Sequence, residues 1–121
     1  MSAGRLLVVD DAPDFGAFVR RVAERLGFET NVITDPLAFK NLYVTFEPTV
    51  IVLDIVMPEV DGIELLTWLR TANCRARILL ISGFDPRYAE WAVRLGGEGG
   101  PPVRRLKKPI SVADLKVALT D

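Results

Sequence analysis

The sequence predicts an α/β fold: a doubly wound sheet of five parallel strands in the order 2-1-3-4-5. Strand-like apolar runs alternate strictly with segments of helical periodicity. This alternation favours parallel strands joined by right-handed crossovers, with helices on both faces of the sheet. The first, third and fourth runs are almost wholly apolar, which is typical of central strands, whereas the second and fifth are mixed, which is typical of edges. This order puts the binding crevice between the first and third strands.

Each strand is predicted from one short run. In chain order the runs are RLLVV (5–9), FETNVI (28–33), TVIVLD (49–54), RILLIS (77–82) and VRRLK (103–107). The segments between them carry the helices. In the first helix Pro13 suits the opening turn and Gly27 the C-terminal cap, and the second helix opens on Asp35-Pro36 as N-cap and first helical position. The apolar face of the first helix begins at Phe15 and continues at Phe18, Val19, Val22 and Leu26. The remaining predicted helices cover residues 62–72, 88–95 and 111–119, and GGEGGPP (96–102) is predicted as a loop.

The composition is typical of a single globular domain over residues 1–121. Hydrophobic residues make up 50% and charged residues 26%, and the net charge of −1 gives no global attraction to nucleic acid or an anionic membrane. No apolar run approaches the roughly 20 residues that span a bilayer, and the N-terminus lacks a signal-peptide layout. A single cysteine, Cys74, permits no internal disulfide, so we expect a cytoplasmic protein. The chain has no histidine and therefore lacks the commonest general base and metal ligand.

Polar side chains collect where the predicted strands end. Asp10 and Asp11 follow the first strand, Asp54 ends the third, Ser82 ends the fourth, and Lys108 follows the fifth. In a doubly wound sheet ligands bind at these carboxyl ends, so the five side chains should converge. Three close carboxylates call for a neutralising cation, and an all-oxygen cluster without His or Cys favours a hard ion such as Mg²⁺.

Each element also has an ordinary structural interpretation. The acidic pair could cap the first helix. Ser82 could be a strand-end hydroxyl with an ordinary hydrogen-bond partner, and Lys107-Lys108 could be a pair of solvent-exposed lysines. Trp68 and Trp91 are interpreted as packing residues. It is the joint placement of these elements on the correct strand ends that favours a functional site.

At these residues the chain resembles the receiver domain of two-component response regulators, a family with a flavodoxin-like (βα)₅ fold. The likeness extends over essentially the whole chain. VVDDAPD resembles the acidic pair of the family, LDIVMPEVDG the phosphoacceptor segment, LLISG the hydroxyl strand, and LKKPI the lysine-proline turn.

The resemblance implies a role for each site residue. Asp54 would accept a phosphoryl group from a phosphohistidine on a sensor histidine kinase or a histidine phosphotransfer protein. Mg²⁺ would be held by Asp10, Asp11, Asp54 and the backbone carbonyl of Val56. Ser82 would bind the phosphoryl group once it has arrived.

Further implications concern the lysine-proline turn and the signalling partners. Lys108 would be the site lysine, joined to Pro109 by a cis peptide, with Lys107 facing solvent. The signal would then pass to a downstream effector or output domain, without direct contact with nucleic acid.

Three positions bear on how such a domain would switch. The family usually carries Tyr or Phe three residues before the lysine, where this chain has Arg105, whose charged fork is costly to bury. The usual route from the phosphoryl group to the face formed by the fourth and fifth helices and the fifth strand is therefore in question. Val56 and Phe84 are apolar and cannot orient an attacking water, which predicts slow loss of the phosphoryl group.

Two alternatives compete with this interpretation. A phosphatase of the haloacid dehalogenase type also uses a strand-end aspartate nucleophile, but it needs a second aspartate two residues on, where this chain has Val56. A receiver-like interaction module would work without phosphorylation, yet such domains typically lose an acid or the lysine, and this chain keeps them all. Labelling by a small phosphodonor in the presence of Mg²⁺ separates the receiver from the interaction module.

Overall fold

The computed structural model describes residues 3–54, 62–82 and 103–120. Within them the strands are β1 (Gly4–Val9), β2 (Phe28–Ile33), β3 (Val50–Asp54), β4 (Arg77–Ser82) and β5 (Val103–Lys107). The helices are α1 (Pro13–Arg25), α2 (Phe39–Phe46), α3 (Gly62–Thr71) and α4 (Val112–Thr120). The helix predicted over 88–95 and the loop predicted over 96–102 lie outside the described residues.

The strands form one parallel sheet in the order β2-β1-β3-β4-β5, which confirms the predicted topology. The register pairs Val9 with Leu53 and Ser82 with Lys107, so the carboxyl ends of four strands lie at one edge of the sheet. The edge strands are the two mixed ones, because only they can leave one side unpaired without exposing a wholly apolar run.

Two separate cores cover the two faces of the sheet, because successive side chains of a strand point to opposite faces. On one face, the helices α1 and α4 pack over a core of Leu6, Val8, Val19, Val22, Ala23, Phe28, Val50, Val52, Leu79, Ile81, Leu115, Ala118 and Leu119. On the other, α2 and α3 pack over Leu7, Val9, Phe39, Ile51, Leu53, Leu65, Leu66, Leu69, Cys74, Ala76, Ile78 and Leu80. Trp68 packs against this second core, as predicted, with its ring edge-on to Tyr43. No helix in the described part of the chain is long and apolar enough to cross a membrane.

A glycine brings α1 close to the sheet. A Cβ atom built on Gly16 would lie 2.5 Å from Cγ1 of Val32 on β2, which is well inside ordinary van der Waals contact. A glycine in the middle of a helix costs roughly 0.5–1 kcal/mol relative to alanine, so the close approach explains its presence there. The same helix begins with Pro13 at its first position, as predicted.

The ends of the other helices are held by specific side chains. Asp35 accepts a hydrogen bond from the backbone N–H of Leu37, as predicted for an N-cap, but the turn that follows is a 3₁₀ helix (Pro36–Ala38) before α2 begins. Ser111 accepts the N–H of Asp114 at the start of α4. At the other end of α4, Arg77 on β4 donates to the carbonyls of the last turn, over 3.1 Å and 2.7 Å. Because these carbonyls have no helical partner, the guanidinium ties α4 to the sheet.

Candidate phosphoryl-acceptor and metal site

The carboxyl edge of the sheet brings four of the predicted site residues together. Asp10 directly follows β1 and Asp54 ends the adjacent strand β3, because Val9 and Leu53 are paired. Lys108 follows β5, whose last residue, Lys107, is exposed to solvent as predicted. Residues nearly one hundred positions apart in sequence therefore surround one point of the sheet edge.

Asp10 is the most buried of these acids, with 1% of its side chain exposed. Both carboxylate oxygens have partners: Oδ1 accepts the backbone N–H of Ala12 over 2.8 Å, and Oδ2 accepts from Lys108 Nζ over 3.1 Å. The first of these bonds closes the turn before α1 but does not cap the helix, because Ala12 is itself the N-cap and no side chain caps α1, so the capping interpretation of the acidic pair is wrong. The second oxygen faces the site.

Lys108 connects the two buried acids. Its Nζ lies 3.1 Å from Asp10 and 3.7 Å from Oδ2 of Asp54, whose side chain is 10% exposed. The Lys108 side chain itself is 29% exposed, so the ammonium reaches the pocket from its rim. The peptide bond between Lys108 and Pro109 is cis, as the resemblance implies.

The acidic side chains meet the donor requirements of a small divalent ion. One carboxylate oxygen from each of Asp10, Asp11 and Asp54 lies within 4.8 Å of the others, and Asp11 is exposed to solvent. Carboxylate oxygens are the hard ligands that Mg²⁺ prefers, and this cluster gathers one from each of three side chains. Three carboxylates against one ammonium also leave an excess of negative charge, so the residues fit Mg²⁺.

Three of the residues singled out in the sequence fall wholly or partly outside what the structure describes. Ser82 lies at the end of β4, at the same sheet edge, but its side chain is not among the described groups. Val56 and Phe84 lie outside the described residues. Arg105 is exposed on β5, as expected for a charged guanidinium at a position where the family usually has an aromatic ring.

Phe15 is a neighbour of the site that the sequence reasoning missed. The ammonium of Lys108 lies over its ring, 4.6 Å from the centroid. Phe15 lies in the first turn of α1, which directly follows the acidic pair, and this position could have indicated that its ring lies near the same edge. The sequence pattern predicts Phe15 only as the start of the apolar face of this helix.

A tyrosine with a perturbed pKa lies away from this edge. Burial raises the pKa of the Tyr43 phenol to about 12, and the neighbouring Cys74 thiol adds to the shift. Tyr43 packs between Phe39 and Trp68, so its hydroxyl belongs to a packed aromatic cluster and not to the acidic pocket.

The fold and the pocket define a class: a doubly wound α/β domain with a lysine-paired acidic pocket at its switch point. Comparison with known proteins identifies the family. The model of the response regulator receiver domain matches residues 6–120, and the chain belongs to this family of two-component signalling domains.

Two individual relatives and one solved structure agree with this family assignment. The chain is 31% identical over 112 residues to the transcriptional regulatory protein CusR of Escherichia coli K12, covering 92% of this chain and 47% of CusR. It is 30% identical over 115 residues to the photosynthetic apparatus regulatory protein RegA of Rhodobacter capsulatus, covering 94% of this chain and 60% of RegA. The chain thus spans less than two thirds of either regulator. The receiver domain of the Francisella response regulator 1452 superimposes with a TM-score of 0.82 at 29% identity, over 96% of this chain and 93% of that one.

Proposed function

We propose that this chain is a phosphoacceptor in a two-component or phosphorelay system, with Asp54 as the residue that receives the phosphoryl group. The observation that supports this most is the position of Asp54: a nearly buried carboxylate at the switch point, 3.7 Å from an ammonium and within 4.8 Å of two further acids. Such a carboxylate is reachable from the carboxyl edge of the sheet and surrounded by groups that offset the charge of a phosphoryl group.

In the proposed reaction a carboxylate oxygen of Asp54 forms a bond to the phosphorus of a partner's phosphohistidine. The phosphorus–nitrogen bond breaks as this bond forms, and its electron pair remains on the imidazole that leaves. A carboxylate needs no general base, which agrees with a chain that contains no histidine. What the chain must supply is positioning and charge.

The neighbouring residues supply that charge in the proposal. Asp10, Asp11 and Asp54, with the backbone carbonyl of Val56, would hold Mg²⁺, which when bound neutralises charge on the phosphoryl oxygens. Lys108 pairs with an oxygen of Asp54 and reaches a phosphoryl group on that residue with a small movement of its ammonium. Asp10, with one oxygen held by the backbone N–H of Ala12, keeps Lys108 at this distance.

After transfer, Ser82 is proposed to hydrogen-bond the phosphoryl group. The register supports this, because Ser82 is paired with Lys107 next to Lys108, so β4 and β5 end side by side. The conformational change that follows is proposed in the 96–102 loop and the helix before it, with Arg105 staying in solvent. We propose that the chain acts on itself alone and does not turn over free substrates.

The partners follow from the proposed chemistry. The donor is a sensor histidine kinase or a histidine phosphotransfer protein in the cytoplasm. We propose that residues 1–121 act as one receiver domain that passes its state to an effector or output domain and contacts neither nucleic acid nor membrane. The name of CusR as a transcriptional regulatory protein supports an output in gene control, since this chain covers 47% of CusR and the rest of that protein could carry the output.

The test is covalent labelling. With acetyl phosphate and Mg²⁺, intact-mass measurement should show one added phosphoryl group that is labile to hydroxylamine, as an acyl phosphate is. Asp54→Asn should abolish the label because an amide is not a nucleophile here. Asp35→Asn is the matched control: it changes an exposed aspartate after β2 and keeps an N-cap, so labelling should be unchanged.

Label that persists on Asp54→Asn, or that maps to Ser82, would refute the assignment of the acceptor. If the wild-type chain takes no label from acetyl phosphate or from a phosphorylated histidine phosphotransfer protein, the remaining function is that of an interaction module that works without phosphorylation.

A further inference from the structure

Lys108 is surrounded on three sides. Two sides are the carboxylates of Asp10 and Asp54, at 3.1 Å and 3.7 Å from Nζ, and the third is the ring of Phe15, whose centroid lies 4.6 Å away. A cation within about 6 Å of an aromatic centroid is attracted to the negative face of the ring. The ring, which belongs to α1, is therefore a third close neighbour of the ammonium beside the two carboxylates.

The ring of Phe15 is held in position by packing against its neighbours. Phe15 is half-buried and packs against the core face that α1 covers. Phe18, one turn further along the helix, lies tilted against it with ring centroids 6.2 Å apart. Gly16 draws the same turn of α1 onto β2. A rigid helix therefore presents the ring to a flexible lysine.

We propose that Phe15 is a positioning residue for Lys108, an inference that rests on the proposed phosphoacceptor function. A lysine with 29% of its side chain exposed can bring Nζ to the two carboxylates through more than one rotamer of its flexible stem. The ring favours the rotamers in which Nζ stands between α1 and the acids. Because Nζ already lies 3.7 Å from Asp54, the ammonium reaches an incoming phosphoryl oxygen without leaving the ring.

The first measurement concerns the unphosphorylated protein. Protons near Lys108 Nζ should show an upfield ring-current shift in NMR spectra, and Phe15→Leu should abolish it while Phe15→Tyr retains it. Phe18→Leu is the matched control, since it removes a neighbouring ring of the same apolar face and should leave the shift in place. A Lys108 spectrum that does not change in Phe15→Leu overturns the proposal, whatever the labelling experiments show.

The second measurement is the rate of labelling by acetyl phosphate at saturating Mg²⁺. Phe15→Leu should slow labelling about two- to fivefold, the factor expected for one partly exposed cation–π contact. Phe15→Tyr should restore the rate, and Phe18→Leu should leave it near that of the wild type. If Phe15→Leu and Phe18→Leu slow labelling equally, or if Tyr fails to rescue, the ring acts only through packing and the proposal is wrong. If the wild-type chain takes no label, the phosphoacceptor function fails first, and the NMR result still decides the position of Lys108.

Discussion

Gly16→Ala should destabilise this protein, although the same change stabilises most helices. The residue lies within α1 at a backbone conformation that alanine adopts without strain, so the helix itself should gain about 0.5–1 kcal/mol. Against this, the new Cβ would lie 2.5 Å from Cγ1 of Val32, where carbon atoms in contact stand about 3.5–4.0 Å apart. Overpacking of this kind costs about 1–3 kcal/mol, so we expect a net loss of about 1 kcal/mol.

A double-mutant cycle with Val32→Ala isolates the contact. The smaller side chain lacks the methyl group that the new Cβ would meet, while the helix propensity of alanine is unchanged. In the Val32→Ala background, Gly16→Ala should therefore stabilise by about 0.5–1 kcal/mol, so that the sign of its effect reverses.

The assay is urea unfolding of the four proteins at 25 °C, with m-values compared to confirm that the unfolding transition is unchanged. Stabilisation by Gly16→Ala in the wild-type background would refute the reasoning. So would an equal effect in both backgrounds, because α1 would then not be seated against Val32.

Three further predictions concern the site, the last helix and the aromatic cluster. Asp11→Asn should weaken Mg²⁺ binding about tenfold in calorimetry, since it removes one of three carboxylates; unchanged affinity would contradict the metal assignment. Arg77→Lys should lower the free energy of unfolding by about 1–2 kcal/mol in urea, because an ammonium does not reproduce the forked donation to two carbonyls of α4; an unchanged midpoint would argue against that tie. Tyr43 has a pKa raised from 10.0 to about 12, so folding favours its neutral phenol, and the stability that this residue contributes should be fully present below pH 10 and be lost as the pH rises through about 12. Tyr43→Phe should remove that fall, and absorbance of the phenolate should show Tyr88 alone titrating; an unchanged alkaline decline would rule out Tyr43 as its source.

Hydropathy along the chain was enough to predict the fold. The strands predicted over 28–33, 77–82 and 103–107 agree with β2, β4 and β5 to the residue, and β1 and β3 differ by one position at their first residue. The strand order followed from which runs were apolar, because parallel strands buried on both faces must be apolar throughout and edges need not be. Each strand is predicted from a short stretch of sequence. Because crossovers between parallel strands are right-handed, the order of the elements along the chain then restricts the topology of the sheet.

The residues that form the acidic pocket could also be predicted from the sequence. Asp10, Asp11, Asp54 and Lys108 lie together because each follows a strand of known order, and the carboxyl ends of parallel strands meet at one edge. Their chemical roles in phosphoryl transfer stay predictions. For Ser82 the sequence placed the residue at that edge, and its role likewise stays a prediction.

Only the tertiary structure decided which acid is buried and what surrounds the lysine. Asp10 and Asp11 are adjacent acids with equal claims in the sequence, yet Asp10 is buried with both oxygens occupied and Asp11 faces solvent. The ring of Phe15 above Lys108 is likewise a product of the fold. Such contacts join segments up to 98 positions apart and depend on the seating of a helix to within about an ångström and on side-chain rotamers. A hydropathy pattern gives the periodicity of a helix or strand, but neither the seating of the helix nor the rotamers of its side chains. The sequence therefore predicts which residues lie at the edge of the sheet, but not the contacts between their side chains.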